Sequence, residues 1–470
     1  MPVSAARLAA YDVLRDVEER DAYANLALPA RIREAGLPPR EAALATELVA
    51  GTLRGRGRYD RIIELAAGRG IGDVDGRTRN VLRLGAHQLL GMRTAAHAAV
   101  NESVELQRLV ANRAAAGFVN GVLRGIGRAS NEEWDQRIRE AAPGADAALA
   151  ACSSHPAWVL RAFRDALRAE GRAEELDALL AADNVAPRVN LALLPGSGID
   201  PDTAEAIGGE SGVTVSGPSP LGLELRGGDP ARAIESFEVP EGTVRVQDQG
   251  SQLAALALTR ARGIRPGERW LDLCAGPGGK TAVLAAEAVL AGATVRANEV
   301  SEHRAELVRR SVQANAEAVE VVVHDGRTAE AFGGEAERFD RILVDAPCSG
   351  LGALRRRPEA RWRKQPGDLP ALTSLQGELF DAAAAHLAPG GILAYVTCSP
   401  HLAETRVVVA EALKRHPELR EIDAAAAVQE VACEPLDLAG DRPSAQLWPH
   451  RHGTDAMFIA LFERATTLDG

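Results

Sequence analysis

Apolar residues recur at helical spacing through the first 140 positions, then give way to short apolar runs set between glycine and proline turns. The early spacing predicts helices over 6–17, 39–53, 59–65, 77–90, 98–110 and 115–127. An Ala-, Pro- and Gly-rich stretch at 141–150 marks a boundary. Beyond it, a helix over 157–169 precedes strand candidates at 189–194, 213–215 and 221–225, which together form a small α+β module. His155, ahead of Pro156, suits capping or packing better than catalysis. Residues 242–258 lead into a helix, with Asp248 or Ser251 as its cap. Strands are then expected over 270–273, 294–297, 319–323, 339–344 and 391–396, with a helix over 280–290 and another from Ser301 to about Asn315. Strands alternating with helices predict an open, doubly wound parallel sheet. The expected architecture is therefore multi-domain: an all-α bundle at 1–140, the α+β module at 141–235 and a Rossmann-like α/β domain at 236–470.

The last domain opens on a strand, the turn Ala275-Gly276-Pro277-Gly278-Gly279, a helix, a second strand and Glu299. This is the layout of a nucleotide-binding βαβ unit: glycines admit a ligand close to the backbone, and the helix start offers unpaired N–H groups. Glu299 stands about 20 residues past the turn, where an acid holds ribose hydroxyls. Three ligands compete. A dinucleotide turn wants a third glycine, but Thr281 stands there. A phosphate-binding loop is matched at its end by Gly279-Lys280-Thr281, and 342–345 resembles a Walker B strand, yet Cys274 replaces the first glycine. Asp272 beside the turn repels phosphate and attracts an ammonium or sulfonium cation, which favours S-adenosylmethionine. Ligands of such sheets bind at the carboxyl ends of the strands. Glu299, Asp325, Asp345, Cys348 and Cys398 all fall there, with Asp325 suited to an adenine amine.

Composition narrows the setting. No run of about 18 uncharged apolar residues occurs, so no membrane span is expected. The start Met1-Pro2-Val3-Ser4 lacks the pattern of a signal peptide. The five cysteines are widely spaced, which suggests neither a disulfide framework nor a metal site and fits a reducing, cytoplasmic setting. The formal charge of −11 argues against nucleic acid. Locally the balance reverses. Between positions 51 and 93, nine arginines face four acids, a phosphate-binding footprint or a solvated face. The run 355–364, with six basic residues, Trp362 and Glu359, could grip phosphates and stack a base, or be a solvated charge run. Basic residues are almost all arginine, so Lys280 inside the glycine turn stands out.

A cysteine beside an adenosylmethionine site suits methylation at a carbon that is not itself nucleophilic. C5 of cytosine is such a carbon. A thiolate adding at C6 makes the ring an enamine, C5 takes the methyl group, and loss of the C5 proton expels the thiolate. Asp345, when protonated, can donate to N3. The base must leave its stack for the thiol to reach it.

Two resemblances sharpen this. Residues 24–28 (ANLAL), 46–54 (TELVAGTLR), 98–104 (AAVNESV) and 118–124 (FVNGVLR) resemble the NusB-type RNA-binding domain, which implies a helical bundle that docks RNA. Residues 272–281 (DLCAGPGGKT), 345–352 (DAPCSGLG) and 395–399 (YVTCS) resemble the RNA cytosine-C5 methyltransferases of class I fold, and with the NusB-like front end the match is to the Sun/Fmu/RsmB group acting on 16S rRNA. That resemblance implies Cys398 as nucleophile and Cys348 as the thiol that helps release methylated RNA. Lys280 and Asp345 are also counted with the catalytic residues. It implies cofactor contacts from Cys274, Ala275, Gly276, Pro277, Gly278, Gly279, Lys280, Glu299, Asp325 and Asp345. It further implies S-adenosylmethionine as cofactor, RNA as partner, no metal, and a monomer. The chain departs from the group at Glu299, where Asp is usual, at Gly276, often Ala, and at Glu404-Thr405, where a Glu-Asn pair is common. A tRNA methyltransferase, a NusB-like factor with a silent rear domain and a P-loop NTPase are the competing expectations.

Overall fold

In the computed structural model, which describes residues 3–438 and 442–466, the chain gathers into two units. The first holds Met1–Arg164, Leu180–Ala186 and Leu354–Lys364. Its helices include Ala5–Glu19, Ala24–Glu34, Pro39–Arg54, Arg56–Ala67, Gly76–Leu90, Ala96–Val110, Ala116–Ile126, Asn131–Ala141 and Ala145–Cys152. Each turns one apolar face inward, so that Leu48, Ile62, Val81, Leu82, Val119 and Leu123 are fully buried together. This is the helical bundle the early spacing predicts.

The arginine footprint is smaller than the sequence suggests. Arg54 pairs with Glu47 at 3.6 Å, Arg58 with Asp135 at 2.7 Å and Arg79 with Glu18 at 2.5 Å. All three acids lie outside the 51–93 window, and Arg83 takes Asp60 at 2.6 Å within it. Folding therefore neutralises charge that a linear count leaves free.

The centre of the basic run near 360 is core of the first unit, whereas Arg356 is exposed and Arg355, Arg357, Arg363 and Lys364 are half-buried. Arg361 is 0% exposed. It donates to the carbonyls of Asp183 at 2.6 Å, Ser154 at 3.1 Å and Arg54 at 3.3 Å, and to Asn184 Oδ1 at 2.7 Å. Glu359, also buried, accepts from the Ala24 N–H at 3.2 Å. The Arg56 guanidinium covers Trp362 at 5.6 Å from the ring centre, and Arg363 donates to the Ala22 carbonyl while lying over Tyr23. His155 is a packing residue: its ring is buried with Nε2 3.6 Å from Asp183.

The second unit holds Asp165–Leu179, Pro187–Ala353 and Gln365–Gly470. Its small antiparallel sheet comprises β1 (Val189–Leu193), β2 (Val213–Val215), β3 (Gly222–Leu225) and β4 (Val244–Val246), ordered β2-β3-β1-β4. The fourth strand, after residue 235, has no counterpart in the sequence pattern. The main sheet comprises β5 (Arg269–Asp272), β6 (Thr294–Asn298), β7 (Val319–Val322), β8 (Phe339–Asp345), β9 (Leu387–Thr397), β10 (Leu419–Ile422), β11 (Ala445–Gln446) and β12 (Phe458–Arg464). The order is β10-β12-β9-β8-β5-β6-β7, with β11 beside β12. Strands β5 to β9 are parallel, as expected for a Rossmann-like fold, and β12 inserts antiparallel against β9.

Side chains alternate across this sheet. Trp270, Val295 and Leu343 pack with the helices Gln249–Arg260 and Gly279–Ala291, while Leu271, Ile342 and Val344 pack with Leu379 and Phe380 of the helix Leu369–Ala385. Asp248 caps its helix by accepting from the Gly250 N–H at 3.0 Å. Ser301 does not cap with its side chain. Its helix, Glu302–Ser311, ends before Asn315, which is non-helical at φ −136°. Among the described residues, no helix is long and apolar enough to cross a membrane.

Candidate active site

The carboxyl ends of β5, β6, β8 and β9 carry the charged and thiol side chains singled out by the sequence. Beyond β5 the glycine turn folds back on itself, with the Gly278 N–H on the Ala275 carbonyl at 2.7 Å and Gly278 in the left-handed region at φ 103°. Glu299, at the end of β6, is buried and reaches the turn. Its Oε2 accepts from the Gly276 N–H at 3.0 Å and its Oε1 from the Ser301 N–H at 3.1 Å. Arg304 closes the ring, donating to the Gly276 carbonyl at 2.5 Å and lying 3.5 Å from Glu299. The absence of a side chain at position 276 is required: a Cβ there would stand 2.3 Å from Glu299 Oε2. The two departures from the family pattern are therefore one arrangement, the longer acid filling the space that a methyl group would take.

Asp272 is buried behind the turn. Thr281 donates to its Oδ2 at 2.7 Å, and its Oδ1 has no hydrogen-bond partner among the described residues. Burial pushes this carboxyl up to about 7, with Asp345 adding to the rise against the Thr281 bond. The hydroxyl that a phosphate loop would offer to a metal is thus spent on a carboxylate. Cys274 lies beside these acids, and its thiol is held well above the usual range by burial and then by Asp272. Asp325 follows β7, and Arg327 forks onto its carboxylate at 2.6–3.2 Å and holds it down to about 2.

Lys280, the first lysine of the chain, donates to Asp345 at 2.8 Å. Burial works against its charge, but Asp345 outweighs burial and its pKa is raised. Strands β8 and β9 run in parallel with Asp345 opposite Val396, so the turns that leave them emerge side by side. Cys348 and Cys398, 50 residues apart, thereby meet at 3.4 Å between sulfurs. The turns are knitted further by the Gly352 N–H on the Cys398 carbonyl at 2.8 Å. The thiol–thiol bond favours the thiolate at Cys398, where burial opposes it and the Lys280 charge supports it; the same bond and burial hold the Cys348 proton firmly. The site thus contains an acidic glycine turn and, next to it, one sulfur disposed to ionise and one disposed to stay protonated. Gln376, which donates to the Pro347 carbonyl at 2.8 Å, and Glu404, which accepts from the Ser349 N–H at 2.7 Å, join the turns without any motif that marks these partners in advance.

Comparison with known proteins agrees with this geometry. Residues 261–463 match the family described as 16S rRNA methyltransferase RsmB/F, and residues 4–128 match the NusB family. A Mycobacterium tuberculosis protein carrying the name "Putative methyltransferase Rv1407" is 48% identical over 99% of this chain and 98% of its own. Ribosomal RNA small subunit methyltransferase B of Pseudomonas putida is 34% identical, over 89% of this chain and 91% of its own. The crystal structure of PH0851 aligns with a TM-score of 0.80 at 23% identity, covering 99% of both chains, a likeness of fold.

Proposed function

The chain belongs to the 16S rRNA methyltransferase RsmB/F family, S-adenosylmethionine-dependent enzymes acting on RNA, and on that premise we propose that it methylates C5 of a cytosine in 16S rRNA through a covalent adduct between Cys398 and C6 of the ring. The observation that carries the proposal is the 3.4 Å approach of Cys348 to Cys398 beside the Lys280–Asp345 pair. Addition at C6 requires a thiolate, and a neighbouring thiol that holds the shared proton leaves Cys398 free to be that thiolate.

The residues around the turn fit S-adenosylmethionine. Asp272 offers a buried carboxylate oxygen, without a hydrogen-bond partner among the described residues, for the amino-acid ammonium. Glu299 is fixed for the ribose, the backbone of Cys274 to Lys280 lines the seat, and Asp325, already on Arg327, has oxygen lone pairs left for the adenine amine. Bound there, the cofactor supplies an electrophilic methyl group to C5. The protein does the rest. Cys398 adds as thiolate to C6. Asp345, when protonated, donates to N3, and the Lys280 ammonium stands 2.8 Å behind it. Once C5 carries the methyl group, a water molecule takes the C5 proton, the C–H electrons form the C5–C6 double bond, the C6–S bond breaks so that Cys398 leaves as thiolate, and N3 gives its proton back to Asp345. Cys348 assists that release.

The names of the relatives support 16S rRNA as the substrate. Bisulfite sequencing of RNA from cells with and without the gene tests the target: one cytosine of 16S rRNA should lose its mark. A mark lost from tRNA instead would overturn the rRNA assignment, and no lost mark would overturn the activity.

The Gly276–Glu299 fit gives a second expected result. Gly276→Ala should weaken S-adenosylmethionine binding by calorimetry roughly tenfold, about 1.4 kcal/mol, because the new methyl group displaces Glu299. Adding Glu299→Asp should recover most of the loss. Additive losses in the double variant would show that the two positions are not coupled.

A further inference from the structure

Ser349 follows Cys348 and Ser399 follows Cys398, and one side chain binds both serines. Glu404 is 0% exposed. Its Oε1 accepts from the Ser349 N–H at 2.7 Å and from Gln376 Nε2 at 3.2 Å. Its Oε2 accepts from the Ser349 hydroxyl at 2.5 Å and the Ser399 hydroxyl at 2.7 Å. Gln376 also donates to the Pro347 carbonyl at 2.8 Å, and Tyr395 holds the Glu404 carbonyl at 2.8 Å. These four donors to the carboxylate are neutral. A buried carboxylate is costly even when its lone pairs are filled, and apolar packing would be cheaper. What apolar packing would lack is a directional tie between the two turns.

We propose that Glu404 is the positioning residue of this site: by holding Ser349 and Ser399 on one carboxylate, it sets the distance between the sulfurs of Cys348 and Cys398. This deepens, and for its catalytic meaning rests on, the assignment of the two thiols as nucleophile and release group. Glu404 touches neither sulfur. Its second effect is electrostatic, since its negative charge disfavours a thiolate at Cys348 and so keeps the shared proton there. A hydrogen bond between thiols survives only a narrow range of distance. Slack in either turn would therefore erase the difference between the two cysteines.

The test reads the thiols directly and needs no RNA. The full-length protein is alkylated briefly with iodoacetamide at a series of pH values, and Cys348 and Cys398 are quantified separately by peptide mass spectrometry. Wild type should label Cys398 well before Cys348. In Glu404→Ala, Cys398 should react roughly tenfold more slowly at neutral pH, and its lead over Cys348 should shrink. Glu404→Gln should fall between, because its amide keeps an oxygen for the Ser349 N–H and donors that the serine hydroxyls can accept. S-adenosylmethionine binding reports on folding. If Glu404→Ala fails to bind the cofactor, the Ser349→Ala/Ser399→Ala variant, which cuts the hydroxyl ties alone, decides by the same readout. Unchanged labelling profiles in a variant that binds cofactor would overturn the proposal. Altered labelling with undiminished methyl transfer would keep the tie and overturn the thiol mechanism instead.

Discussion

Replacing Cys398 with alanine should abolish methyl transfer, with a loss of roughly 10³-fold or more, and should leave no covalent complex with RNA carrying 5-fluorocytosine. Fluorine at C5 blocks proton loss, so an attacking thiolate stays attached to C6 and the protein–RNA adduct survives denaturing electrophoresis. Replacing Cys348 should have the opposite signature. With the elimination step impaired and addition intact, the protein should accumulate an adduct with ordinary RNA, without the fluorinated base. Both variants should still bind S-adenosylmethionine, because neither sulfur belongs to the glycine turn. Reversed phenotypes would exchange the two roles. The opposite shifts of the two thiols, downward at Cys398 and upward at Cys348, favour the stated assignment.

Arg361→Ala should destabilise the first unit by about 3–5 kcal/mol. The substitution orphans the carbonyls of Arg54, Ser154 and Asp183 and the Asn184 amide oxygen, and removes the cation that faces the buried Asp183 carboxylate. Hydrogen exchange of the helix Pro39–Arg54 would report the loss within that unit and avoids assuming that the whole chain unfolds in one step. If the basic run instead served as an exposed RNA grip, exchange would be unchanged and only RNA affinity would fall. Acid should act on the same cluster. Burial, with Arg361 facing it, pushes His155 down to about 4. The unfolded chain takes up this proton near 6.5 while the folded unit resists it. Stability from the neutral ring is therefore complete above that value and lost as pH falls towards 4.

Much of the main sheet was legible because its parallel strands are buried on both faces and read as short apolar runs closed by acids or cysteines. The antiparallel strand β12 was not, although its run FIALF is as apolar as any. A short apolar run does not distinguish strand from helix, and nothing nearby supplies turn chemistry to decide. Within the site, the glycine turn and Glu299 were legible because their spacing is local. The meeting of Cys348 with Cys398 depends on the register that sets Asp345 against Val396, which motifs do not encode. Glu404 was visible only as a departure from a familiar pair, since beside Ser399 nearby its partners lie 55 residues back at Ser349 and 28 residues back at Gln376. The charge runs misled for a related reason. An arginine's exposure is fixed by which carbonyls and acids folding brings to it, and Arg361 finds its own near positions 54, 154 and 183.

Membership of Leu354–Lys364 in the first unit bears on how the protein is made. On the ribosome, residues through Ala186 emerge early, but Pro187–Ala353 must be translated before the final piece of that unit appears. At roughly 5–20 residues per second the wait is roughly ten to thirty seconds. For that interval the nascent bundle lacks Glu359 for the Ala24 amide and Arg361 for the carbonyls around Asp183. A polypeptide ending shortly after Ala186 would carry that deficit permanently. Supplying residues 354–364 as a separate peptide should raise its melting temperature.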